Sequence, residues 1–270
     1  MKKMLREVIT MKTMRVISMM LCVVLVHLIG CTKKEALKDA STADLSEAKI
    51  GALAGSTGER FITENYEHAK LFKFDDIADA IVALKESEID YVISTYITAS
   101  NIAKHNTDIL IKPGFVQAEG VAIAVNKHQT ELLSNLSKVL ERFKTDGTLV
   151  DISKRWVKVT NTPYERKEIP VHEAGKILRV GVTPKDEPMC FMVNGKIVGL
   201  DAELIERIAY ELKMKVEFEE YPFEALLTAI DSELVDIAIS NISSTKERQL
   251  LVNFTEDYFS NPLVLMKKKR

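Results

Sequence analysis

Cysteine is scarce in this chain: Cys22, Cys31 and Cys190 are the three among 270 residues. Cys22 and Cys31 fall in an N-terminal leader, so Cys190 has no intramolecular partner, which excludes a disulfide framework and a thiolate metal site. Basic runs are lacking apart from residues 267–270, and 37 Lys+Arg against 39 Asp+Glu leave a formal charge of -2. Nucleic acid is therefore not an expected partner. The apolar stretch 16–29 is too short for a comfortable membrane span. His68, His105, His128 and His172 show no metal-ligand spacing, and no Ser-His or Cys-His pair can be placed, so no metal, cofactor or catalytic residue is expected. What the chain does have is 46% hydrophobic residues, enough to give each of two modest lobes a core.

The leader reads clearly. Lys2, Lys3, Arg6, Lys12 and Arg15 precede the apolar stretch, as in a secretory signal. It ends in Leu28-Ile29-Gly30-Cys31, which resembles the bacterial lipobox, where small residues before a cysteine allow the thiol to be acylated and the preceding bond cut. Residues 1–31 are thus expected to be a lipoprotein signal, with Met11 and Met14 as alternative starts. Residues 32–46 read as a polar tether. Cleavage removes five basic residues and Glu7, leaving a mature net charge of about -6. The expected location is the cell envelope, lipid-anchored through Cys31 and facing the periplasm or the exterior.

Beyond the tether, strand and helix patterns alternate, which predicts an α/β fold. Residues 178–182 form an apolar strand. Residues 201–213 follow as a helix with Leu204, Ile205, Ile208, Ala209 and Leu212 on one face and Asp201 as its cap. A strand at 215–219 turns Val216 and Phe218 inward, a helix covers 223–232, and 234–240 reads as a strand buried on both faces. Residues 77–94 (IADAIVALKESEIDYVIS) align without gaps to 223–240 (FEALLTAIDSELVDIAIS), matching Ala83 to Ala229, Asp90 to Asp236, Ile93 to Ile239 and Ser94 to Ser240. Two similar α/β lobes follow from that repeat. Ligands bind such sheets beyond the carboxyl ends of the strands, so Ser94-Thr95 and Ser240-Asn241 are expected to face a shared cleft.

Two segments carry groups suited to an anion. Gly55-Ser56-Thr57-Gly58-Glu59 follows a strand at 49–53 and precedes a helix; its glycines admit close backbone approach, and a helix start presents free N–H groups. Ser243-Ser244-Thr245-Lys246-Glu247-Arg248 reads as another helix start, with Arg248 one turn in. Arg is the side chain shaped to hold a carboxylate by two parallel hydrogen bonds.

These residues carry a family resemblance. Residues 178–269 resemble the first lobe of the polar amino-acid-binding proteins of ABC transporters, through Val198-Gly199-Leu200-Asp201, Val235-Asp236, Ser243 to Arg248, Val252-Asn253-Phe254-Thr255 and Tyr258. Residues 49–90 resemble the family's second lobe. Residues 120–156 resemble the segment that re-enters and closes the first lobe, with Asp146-Gly147-Thr148 and Lys154-Arg155-Trp156. The order is rotated, which implies either a circular permutant with new ends in a hinge connection or a fragment of a tandem protein. In the permutant, 121–125 and 263–266 run side by side between the lobes. The boundaries implied are 47–122 for the second lobe and 123–270 for the first, made of closing helices 129–157, a linker 158–177 and a main part 178–270.

The resemblance implies a two-lobed periplasmic-binding-protein-like fold of type II, closing by a hinge around a small polar ligand, an amino acid or related carboxylate, delivered to an ABC permease. It implies binding rather than catalysis. Sensing of a ligand, or dehydratase-like chemistry on the same scaffold, are the alternatives. Arg248 would clamp a carboxylate with Gly55, Ser56 and Thr57, while Asn241, Ser243 and Phe223 would contact the ligand. Two positions depart from the family pattern: Thr95 stands where an Asp usually holds the ligand ammonium, and Asp186 replaces an aromatic platform. Asp186 or Glu187 could supply the missing charge from the opposite lobe.

Overall fold

Apolar and polar segments resolve into two five-stranded sheets. The computed structural model describes residues 45–157 and 164–269, with backbone alone over 113–118. The expected leader with Cys31, most of the tether and the start of the linker lie outside the described residues. One sheet contains β1 (Lys49–Leu53), β2 (Lys70–Phe74), β3 (Tyr91–Thr95), β4 (Ile109–Val121) and β13 (Phe259–Lys268), in the order β2-β1-β3-β13-β4. Strands β2, β1 and β3 are parallel, and β13 runs antiparallel to both β3 and β4. Helices α1 (Thr57–Asn65), α2 (Ile77–Lys85) and α3 (Tyr96–His105) connect them. This is the second lobe.

The first-lobe sheet contains β5 (Ala124–Val125), β6 (Lys176–Val182), β10 (Met214–Glu220), β11 (Ile237–Ala238) and β12 (Asn253–Phe254), in the order β10-β6-β11-β5-β12. Its helices are α4 (Thr130–Thr145), α5 (Thr148–Trp156), α6 (Leu200–Glu211) and α7 (Leu226–Asp231). A small three-stranded sheet, β7 (Lys185–Asp186), β8 (Cys190–Val193) and β9 (Lys196–Val198), leads into α6. Leu200, Leu204, Ile205 and Ile208 of α6 are wholly buried, spaced along one helical face against Leu136, Leu140, Ile152 and the inner residues of β6. Glu203, on the same helix, is buried too. It accepts hydrogen bonds from Arg155 Nη1 at 2.7 Å and Trp156 Nε1 at 2.7 Å, which ties the Lys154-Arg155-Trp156 segment to α6.

The internal repeat is a repeated hydrogen-bonding device. Aligned positions Ser87 and Glu233 both adopt left-handed backbone, with φ 62° and 57°, and reverse the chain between helix and strand. Three residues later Asp90 accepts the Lys49 N–H at 2.8 Å, and Asp236 accepts the Arg179 N–H at 2.9 Å. The backbone N–H of each aspartate returns a bond, to the carbonyl of Lys49 and of Arg179 respectively. Each carboxylate thus locks its strand alongside a parallel neighbour.

Several expectations are corrected. Asp201 does not cap α6. Gly199 precedes the helix with φ 127°, where an added Cβ would stand 2.2 Å from the Met189 carbonyl oxygen, so only glycine fits. The expected helix 223–232 divides into a 3-10 turn, Phe223–Ala225, and α7, and the strand 234–240 shortens to β11, with Leu234 exposed. Residues 243–248 do not start an α-helix. Arg248–Leu250 is a single 3-10 turn, and the Arg248 side chain bonds back to the Ser243 carbonyl.

The first-lobe boundary 123–270 is also corrected, because β13 fills the gap between β3 and β4 and so belongs to the second-lobe sheet. Strand β13 thus lies within that lobe rather than in a hinge connection. Two segments cross between the lobes: β4 runs through Ala122 and Ile123 into β5, and the chain from β12 enters β13. They run side by side in a register other than that expected. Val121 pairs with Phe259 and Ala124 with Phe254, while Leu263 and Met266 lie opposite Val116 and Ile111.

Candidate functional site

The carboxyl ends of β1, β3, β6 and β11 converge on one cleft between the lobes, a cavity of about 60 Å³ that opens in part to solvent. The second lobe contributes Ser56, Thr57, Ser94, Thr95 and Thr98; the first contributes Thr183, Lys185, Asp186, Phe223, Ser240, Asn241, Ser243 and Arg248. Of the residues named from sequence as ligand contacts, all but Gly55 line this cavity, and Gly55 adjoins it through its carbonyl. Glu187 does not line it; its carboxylate accepts a bond from the Tyr164 hydroxyl at 2.8 Å.

Ser56 caps α1, its Oγ accepting the Glu59 N–H at 3.1 Å. The first N–H groups of α1 have no acceptor within the helix and point to the cleft end. Arg248 faces them from the other lobe. Its Nη1 donates to the Ser243 carbonyl at 3.0 Å and its Nη2 to the Gly55 carbonyl at 2.9 Å, while the guanidinium carbon lies 5.5 Å from the Phe223 ring centroid. That stacking on an aromatic face suits a planar cation. Burial pushes the Arg248 pKa down to about 10, and Glu119 partly offsets it, so the group stays protonated at neutral pH. The nearby Glu119 and Glu247 are bonded instead to Arg60. Among the described residues no carboxylate forms an ion pair with Arg248. Gly55 has φ 71° and packs so closely that a Cβ would stand 2.8 Å from the Glu224 Cα across the cleft, which makes this rim of the closed site a backbone-to-backbone contact.

Asn241, expected to touch the ligand, lines the cleft and also bridges the lobes. It sits at φ 52°, held by its N–H to Asp201 Oδ2 at 2.7 Å. Its Nδ2 donates to Thr95 Oγ1 at 3.2 Å and to Asp186 Oδ2 at 2.9 Å, and its Oδ1 accepts from Asn261 Nδ2 at 3.1 Å. Thr98 Oγ1 donates to Asp186 Oδ1 at 2.7 Å and lies 2.8 Å from Thr95 Oγ1. With the single Thr98 proton committed to Asp186, Thr95 must donate to Thr98. The Asp186 pKa is raised by burial, against the lowering effect of its Thr98 and Asn241 bonds. Asp201 also accepts the Tyr258 hydroxyl at 2.7 Å, and burial raises its pKa to about 7.

Sequence reasoning missed Thr98, Asp201 and Asn261. Thr98 had a signal, standing one helical turn after Thr95. Asp201 was noticed and given the wrong task. Asn261 had none, since an Asn in an otherwise apolar strand acquires meaning only when Asn241 and the Ile97 N–H are brought against it.

Residues 178–270 match the family model of bacterial extracellular solute-binding proteins, family 3. A probable histidine-binding protein of Campylobacter jejuni is 34% identical over 92 residues, covering 34% of this chain and 36% of that protein. The ABC transporter arginine-binding protein 1 of Escherichia coli is 29% identical over 130 residues, covering 46% of this chain and 52% of the relative. A solved ancestral arginine-binding protein bound to glutamine is 38% identical over a stretch covering 31% of this chain and 37% of its own, with a TM-score of 0.30. The chain spans about a third to a half of the length of these curated relatives.

Proposed function

We propose, for a chain whose residues 178–270 match the family model of bacterial extracellular solute-binding proteins, family 3, that the interlobe cleft captures a small polar ligand, an amino acid or related carboxylate, and presents it to an ABC permease. The observation that carries this reading is Arg248: a guanidinium in the cleft, stacked on Phe223, facing the start of α1, and without an ion-pair partner among the described residues. The relatives' names describe binders of histidine and arginine, which supports capture rather than catalysis. Gly55, Ser56 and Thr57 supply the facing backbone and hydroxyl, Ser243 fixes the guanidinium through its carbonyl, and Asn241 and Thr95 draw the lobes together. The protein works outside the cytoplasm, held by lipid on Cys31, and its chain order is that of a circular permutant.

Truncating one member of a buried hydrogen-bonded charge pair costs about 2 to 5 kcal/mol, roughly thirtyfold to several thousandfold in affinity. Arg248→Ala should therefore nearly abolish binding in calorimetric titrations against amino acids and small carboxylates. Arg248→Lys keeps the charge but loses the planar fork and should restore little. Unchanged affinity in Arg248→Ala would remove the carboxylate clamp.

A further inference from the structure

Two carboxylates of the protein stand near Arg248, and neither pairs with it. Glu247 precedes it in the chain. Glu119 comes from the end of β4, which lies against the segment that carries Arg248: Val121 bridges to Ser243, and the Gly120 carbonyl accepts the Ser244 N–H at 2.9 Å. Arg60, in the first turn of α1, holds both carboxylates instead. Its Nη2 donates to Glu119 Oε1 at 3.0 Å, its Nη1 donates to Glu247 Oε2 on the other lobe, and its Nε lies 3.9 Å from Glu64 one turn on. The second oxygen of Glu119, Oε2, is buried and accepts no hydrogen bond among the described residues. A buried acceptor is costly to leave unmade, so that oxygen is ready for a cation within reach. After burial, the groups that act on the Arg248 charge are these three, Glu119 and Glu247 favouring it and Arg60 opposing it.

Resting on the reading that Arg248 takes a ligand carboxylate, we infer that Arg60 is a positioning residue that keeps the protein's own carboxylates, Glu119 and Glu247, off the Arg248 fork. A guanidinium presents N–H donors along both edges of its plane, which lets Arg60 hold two carboxylates at once. Without Arg60, both face one remaining cation in a partly desolvated cleft, where attraction between charges is stronger than in water. Glu119 then gives its spare oxygen to Arg248, or Glu247 folds back on it. A ligand would have to displace a partner that is tethered beside the site and so present at high effective concentration. Arg60 thus suppresses an inhibitor that the chain itself carries. Because Arg60 and Glu247 belong to opposite lobes, their pair forms only when the lobes meet, and the freeing of Arg248 is tied to closure.

The test compares wild type, Arg60→Ala, Glu247→Gln and the triple variant Arg60→Ala/Glu119→Gln/Glu247→Gln, each checked for folding by circular dichroism. Independently of any ligand, the NMR signal of the Arg248 side-chain Nε–H, assigned by its loss in Arg248→Lys, should move in Arg60→Ala and return in the triple variant. A signal that stays in place in Arg60→Ala, or fails to return in the triple variant, overturns the inference. In calorimetric titrations with the standard amino acids, acetate and succinate, each probe that wild type binds should bind about tenfold more weakly to Arg60→Ala, a loss between those of exposed and buried ion pairs. The triple variant should recover to within about threefold of wild type. Glu247→Gln, which breaks the interlobe pair but leaves Glu119 on Arg60, should keep wild-type affinity. A loss that the triple variant does not recover, or an equal loss in Glu247→Gln, would make Arg60 a bolt between the lobes and overturns the inference. Binding that survives Arg248→Ala, with the NMR signal still moving in Arg60→Ala, overturns the carboxylate reading and leaves the exchange of ion pairs standing.

Discussion

Asp201 illustrates how one side chain can take a task that its position in the sequence does not suggest. A carboxylate at the first turn of a helix ordinarily caps free N–H groups. Here it is turned inward, fully buried, to hold Asn241 and Tyr258. Its pKa rises from 3.8 to about 7 through burial, the dominant cause. The folded state keeps this proton where the unfolded state has lost it, so its contribution to stability is greatest below the unfolded pKa and falls as pH rises to the folded value. At about 1.4 kcal/mol per unit, the loss between about pH 4 and pH 7 is roughly 4 kcal/mol. Asp201→Asn can still accept from the Asn241 N–H and can donate to the Tyr258 oxygen. Urea denaturation at several pH values should show a flatter decline for the variant over this range. Parallel pH profiles for variant and wild type would rule the shift out.

At the scale of elements, the end of β13 and the start of β1 matter most. Met266 pairs with Val92 and Ile50 with Tyr91, so both ends stand one strand from β3 at the same edge of the sheet. Two interstrand spacings separate them by about 10 Å. A short linker from residue 269 to residue 47 can span that distance. A permutant so joined, and opened between residues 157 and 164, should fold with a melting temperature close to that of the natural order and bind the same ligand, because every strand keeps its neighbours. A rejoined chain that stays unfolded by circular dichroism would favour a fragment of a tandem protein instead. The repeat was legible at this scale because its turn and aspartate are local features. Membership of β13 was not, since a ten-residue apolar strand pairs equally well with either sheet until its neighbours are known.

For the molecule as a whole, closure rests on contacts reaching from one lobe to the other: Arg248 to Gly55, Asn241 to Thr95, Thr98 to Asp186 and Lys185 to Asp76. All lie around the cleft, where a ligand adds to them, while the two crossing segments beside Val121 and Phe259 supply the hinge. Such a molecule functions only where its solute is found, which is why the proposed leader and lipidation of Cys31 bear on function. Among the described residues no helix is long and apolar enough to cross a membrane. The proposed attachment is lipid on Cys31, which lies outside the described residues. Cys31→Ser should move the protein from the membrane fraction to the soluble one on cell fractionation, with loss of the acyl mass from the mature N-terminus. Unchanged membrane retention would argue against the anchor.

The α/β alternation, the two related lobes and the loops that border the cleft could be read from the amino-acid order alone, because each depends on residues within a few turns of one another. Ser56 capping α1, and the paired turns ending in Asp90 and Asp236, are of this kind. Which polar side chains meet was decided by the tertiary structure. Asn241 finds Thr95 across 146 residues, Asp186 finds Thr98 across 88, and Arg248 finds Gly55 across 193. A hydrogen bond needs its partners within about 3.2 Å, and at such separations along the chain that distance is set by how the sheets pack. Composition and spacing identify the donors and acceptors; folding the two lobes against each other determines which of them are left for a ligand.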